Sequence, residues 1–145
     1  MPGSGTATFE KRSPIDDRVV ATVVRGGAAD VAVAVDAASV ASAAWGRVPA
    51  PKRGEILGRA ASLLRAAERT FAEIIHVEPG KPLKNAAAEV VSSADLAVFM
   101  ESEGSRFYGK TMTSPIANRS VRTERSPIGV CAAITPLVVA RQVIR

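Results

Sequence analysis

The chain has 145 residues, a single cysteine and a formal net charge of +5. That length fits one domain, and 47% hydrophobic with 23% charged residues excludes an intrinsically disordered chain. One thiol excludes an internal disulfide framework, and with no uninterrupted run of about 18 apolar residues no transmembrane helix is expected.

Residues 1–6 are Gly/Ser-rich and lack the apolar stretch of a secretory signal, so a cytoplasmic protein is expected. Residues 7–11 and 19–24 are short runs with β-branched side chains, separated by the turn sequence Ser13-Pro14-Ile15-Asp16-Asp17. They predict a β-hairpin. Gly26-Gly27 ends the second strand, and Asp30 is placed to cap a helix. Val31, Val35, Ala38, Ala41 and Trp45 recur along that helix at helical spacing until Gly46.

Pro49-Ala50-Pro51 opens a second predicted helix. Its apolar stripe is Ile56, Ala60, Leu63, Leu64, Ala67, Phe71 and Ile74, and Glu55 and Arg59 stand in the favourable i,i+4 order. Pro79-Gly80-Lys81-Pro82 breaks it and starts a third helix, with a stripe of Leu83, Ala87, Val90, Ala94 and Ala97. Residues 111–118 read as a polar loop containing Pro115. Residues 119–125 alternate in places and predict an exposed strand. Residues 130–135 are continuously small and apolar, as in a buried parallel strand, which makes Cys131 a small core residue.

The basic residues are spread along helices and mixed with Glu, without the aromatic interleaving of a base-stacking surface. They read as solvated helix faces, and a nucleic-acid-binding helical module ranks lowest among the functions considered. The end of the chain is more one-sided: Arg119, Arg122, Arg125, Arg141 and Arg145 face only Glu124. His76, near Glu73 and Glu78, reads as a packing or surface residue and not as a metal ligand, and no metal site is expected. Asp16-Asp17 reads as a turn and not as a catalytic dyad.

Several motifs occur in a characteristic order: Glu78-Pro79-Gly80-Lys81-Pro82, Glu89-Val90, Tyr108-Gly109, Arg125-Ser126-Pro127-Ile128-Gly129-Val130, and Ile134-Thr135-Pro136. With Pro51-Lys52-Arg53-Gly54-Glu55-Ile56-Leu57 ahead of them, they span nearly the whole chain. In this order the sequence resembles the N-terminal part of the NAD(P)-dependent aldehyde dehydrogenase superfamily.

The resemblance implies an α/β fold: a hairpin, three helices, an exposed strand and the first strand of an incomplete Rossmann-like parallel sheet. It assigns residues 1–145 to a cofactor-binding and oligomerisation region without the catalytic domain. It also implies that Ile134, Thr135 and Pro136 are the remnant of a cofactor contact, since such strands present ligands at their carboxyl ends. The family continues Ile-Thr-Pro with Trp-Asn-Phe-Pro, whose Asn donates to the oxyanion of the intermediate. This chain continues Leu137-Val138-Val139-Ala140-Arg141, through either a deletion or a diverged frame.

The family's nucleophilic Cys and general-base Glu have no counterpart in these residues. No catalytic residue is therefore assigned. The expectation is a truncated oxidoreductase-like chain, by lineage oxidising an aldehyde to a carboxylic acid with NAD or NADP, inactive by itself and not binding the cofactor. The alternative is an assembly module that pairs with a full-length aldehyde dehydrogenase, or with itself, through the retained strands.

Overall fold

The computed structural model describes residues 7–134. Strands β1 (Thr8–Arg12) and β2 (Val19–Val24) form the expected hairpin, antiparallel, with Phe9 opposite Val23 and Lys11 opposite Ala21. The register shifts between Lys11 and Arg12, and Arg12 faces Val19. The connecting turn is closed at both ends. The Ser13 amide donates to the Arg18 carbonyl, and the Asp17 amide, from a residue at φ 57°, donates to Ser13. Arg12 ties the turn to the strand, pairing with Glu10 at 2.6 Å and Asp17 at 3.4 Å.

Helix α1 (Ala28–Gly46) starts two residues earlier than expected. Gly27 is the extended residue ahead of it, and Asp30 sits in the first turn. The Asp30 carboxylate caps backwards, accepting from the Gly27 amide at 2.8 Å, which is the reciprocal half of a capping box. None of the residues of α1 is buried. At 19 residues and a mean hydropathy of 1.3, it is long and apolar enough to cross a membrane by length and composition. That differs from the expectation, because alanine and serine keep the run apolar on average without making it continuous.

The second expected helix is two: α2 (Ala50–Ala66) and α3 (Glu68–Val77), meeting at Ala67 with φ −106° and ψ 17°. Nothing in Ala66-Ala67-Glu68 breaks a helix locally. The bend comes from packing, since α2 and α3 both lie against α4 (Leu83–Glu103). A short 3-10 turn, Gly104–Arg106, follows α4 and touches α2.

The core among the described residues is Ala61 of α2, Ala72 of α3, and Ala86, Val90 and Ala94 of α4. Small side chains let the helices approach closely. A Cβ placed on Gly54 would lie 2.6 Å from the carbonyl oxygen of Glu101, and one on Gly104 would lie 2.7 Å from that of Ala50. The predicted stripe is not this core. Ile56, Leu63, Phe71 and Ile74 are all exposed, so that face of α2 and α3 lacks a cover among the described residues. Glu55 likewise pairs with Lys52 at 2.7 Å rather than along the helix with Arg59.

The last third departs furthest from expectation. Residues read as loop form β3 (Thr111–Thr113), which pairs antiparallel with β4 (Ser120–Arg122), Met112 opposite Val121. Asn118 turns the chain between them at φ 61°. Both sheets among the described residues are thus two-stranded and antiparallel, and the expected parallel, Rossmann-like strand is not there. Residues 130–134 are irregular, and Cys131 is exposed, not buried. The physical reason is that a buried parallel strand needs neighbours on both edges and cover on both faces. None of these surrounds residues 130–134 here.

Candidate functional site

The cofactor contact implied by resemblance falls at the end of this irregular stretch. Ile134 is 100% exposed. Thr135 and Pro136 lie outside the described residues. A dinucleotide binds beyond the carboxyl ends of parallel strands, where backbone groups converge on it. With no such strand formed, residues 7–134 do not build that cradle. Cys131 reaches only the Gly129 carbonyl, at 3.7 Å, and has no base beside it to make a thiolate nucleophile. Among the described residues no three His, Cys, Asp or Glu groups cluster to hold a metal.

The best-ordered polar constellation is the turn between α3 and α4. His76, in the last turn of α3, places Nδ1 2.7 Å from the Lys81 carbonyl oxygen. A carbonyl only accepts, so Nδ1 carries the proton and donates it. Lys81 in turn extends its ammonium to Glu89 on α4, both side chains being about four-fifths buried at 18% and 21% exposure. Gly80 between them adopts φ +78°, and a Cβ there would stand 2.9 Å from Cγ of Pro14. Pro14 follows Ser13, which is only 2% exposed. The Glu78–Pro82 motif therefore does a joining job: it reverses the chain, anchors α4 and seats the hairpin's turn.

The motif was visible in the sequence, but the Lys81–Glu89 partnership was not. An eight-residue separation that spans a helix start falls outside the i,i+3 and i,i+4 rules that reveal helical pairs. The only advance signal was Glu89 lying among apolar positions of α4.

A groove of about 510 Å³ separates the hairpin from α3, lined by Val23, Ile74 and Val77 with Lys11, Arg18 and Glu73. It contains no nucleophile or histidine. Glu73 is engaged by Arg69 at 2.8 Å, and that hydrogen bond, with the carboxylate's charge, raises the guanidinium pKa further above its ordinary value. The arrangement is that of a scaffold with charged edges, without an acid–base pair aimed at a common point.

Comparison with known proteins accounts for this. The chain is 35% identical over 136 residues to 2,5-dioxopentanoate dehydrogenase of Saccharolobus solfataricus, covering 94% of this chain and 28% of that protein. It is 34% identical to succinate-semialdehyde dehydrogenase of Paenarthrobacter nicotinovorans, covering 81% of this chain and 26% of that one. The crystal structure of succinate-semialdehyde dehydrogenase from Burkholderia pseudomallei superposes with a TM-score of 0.89 at 38% identity, over 94% of this chain and 28% of that chain. The chain thus spans about a quarter of the length of the relatives it matches, in their N-terminal portion. The model of the aldehyde dehydrogenase family matches residues 1–138, and the chain belongs to that family.

Proposed function

We propose that these residues are the scaffold portion of an NAD(P)-linked aldehyde dehydrogenase acting on an aldehyde with a carboxylate at its far end, and that by themselves they perform no turnover. The observation that carries the reading is the family match over residues 1–138 combined with a sole cysteine that lies exposed on an irregular segment. Aldehyde oxidation in this lineage needs a thiolate to form the tetrahedral adduct and a base to activate the hydrolytic water. The described residues present neither in a common site. The substrate class is supported by the names of the relatives: succinate semialdehyde and 2,5-dioxopentanoate are both aldehydes bearing a distal carboxylate.

The test is formation of reduced nicotinamide by the purified 145-residue chain with succinate semialdehyde and NAD or NADP. No signal above a buffer control is expected; turnover that scales with protein concentration overturns the reading.

A second reading is favoured by one observation: both two-stranded sheets leave strand edges unpaired among the described residues. Such edges invite pairing with another chain. In that reading the chain assembles with a full-length aldehyde dehydrogenase. Mixing the two and finding no change in the enzyme's size or activity counts against it.

A further inference from the structure

Helix α1 is apolar on opposite sides, and neither side is covered. Val31, Val35 and Trp45 recur along one side, Val33 and Val40 along the other, and all five are exposed. A surface helix has one apolar stripe; a helix apolar all round belongs in the interior of a larger body or in a membrane. Nine of its 19 residues are alanine, which allows another backbone to approach closely.

The superposition on the Burkholderia pseudomallei enzyme takes in 94% of this chain, so it leaves out fewer residues than α1 contains. At least part of α1 therefore stands where that enzyme has its counterpart. The match uses only 28% of that enzyme's chain, so the material available to cover a helix so placed lies in the rest of it.

We infer that α1 is a docking face for the remainder of an aldehyde dehydrogenase polypeptide, and that these 145 residues associate with such a remainder in trans as a one-to-one pair. The partner's identity rests on the proposed function; the need for a large partner rests on α1 itself. A second copy related by a twofold axis would bury one side of α1 and leave the opposite side in water. A bilayer would cover both sides, but Asp36 sits at the middle of the helix, where lipid strongly disfavours an ionised carboxylate.

The experiment is co-expression of the 145-residue chain with the Burkholderia pseudomallei enzyme lacking its matched N-terminal segment, so that neither part has to fold alone. Size-exclusion chromatography with light scattering reads the complex. A 1:1 complex is expected. It should weaken by about tenfold or more in Val33→Asp/Val40→Asp, because each carboxylate would be buried without a partner. It should persist in Val121→Asp, which alters β4 instead. Circular dichroism of the variants checks that the α2–α4 helices survive.

Absence of a complex overturns the inference, as does a complex indifferent to the α1 substitutions or lost in Val121→Asp. Sedimentation of the lone chain with phosphatidylcholine/phosphatidylglycerol vesicles, abolished by the α1 substitutions, would assign α1 to lipid and equally overturn it. Turnover by the lone chain sinks the proposed function; an inactive lone chain that forms no complex sinks only this inference.

Discussion

Lys81 and Glu89 form a mostly buried ion pair that links the turn before α4 to the body of that helix. The same turn is held from the other side by His76, whose ring donates to the Lys81 carbonyl. Lys81 is therefore fixed at both its backbone and its side chain. Replacing it by Met leaves Glu89 largely desolvated without a partner, which costs about 1–3 kcal/mol. Glu89→Leu in the Lys81→Met background should recover part of that loss, because the orphaned charge is removed with its partner. Urea unfolding followed by circular dichroism measures both. Equal stability of the single variant and the parent would mean the pair contributes nothing.

Gly80→Ala tests the seat of the hairpin. The left-handed backbone at φ +78° costs an alanine about 1–2 kcal/mol, and its methyl would also press on Pro14. Pro14→Ala in the same chain should relieve only the second part. Complete recovery in the double variant would show that backbone conformation plays no role. Thermal unfolding of the two variants distinguishes these cases.

Two glycines on α2 should respond in opposite ways. Gly→Ala in a helix interior normally stabilises by about 1 kcal/mol. At Gly54 the added methyl meets the Glu101 backbone at 2.6 Å, which cannot move without shifting α4; overpacking of this kind costs about 1–3 kcal/mol, so a net loss is expected. At Gly58 the obstacle is the Glu101 carboxylate, the free end of a flexible side chain. Gly58→Ala should be neutral or stabilising. If both behave alike in chemical denaturation, the backbone contact is not what separates them.

Cys131 should behave as an accessible thiol. An Ellman's reagent assay is expected to modify it in the folded chain within about tenfold of its rate in denaturant, since burial and not chemistry is what slows structural cysteines. Protection by several orders of magnitude would mean residues 130–134 are covered in solution.

What was legible in the sequence was local. The hairpin followed from β-branched runs around Ser13-Pro14, and the helix starts followed from prolines at 49, 51 and 82. The bend at Ala67 was hidden because it arises from α2 and α3 both packing on α4, not from the residues at the bend. β3 was hidden because Thr111–Thr113 becomes a strand only through its partner β4. The parallel strand was expected from small apolar residues whose neighbours in a sheet are not among residues 7–134. Of the implied contact residues only Ile134 can be judged, and it stands in solvent.

The buried core consists of four alanines and one valine. Such a centre has almost no volume to lose and little room to gain. Drift at positions 61, 72, 86 and 94 is therefore one-directional: glycine or serine can be absorbed with modest loss, whereas leucine or phenylalanine would force the helices apart. Among descendants of this sequence, those four sites should hold to small residues long after the exposed Leu63 and Phe71 have changed.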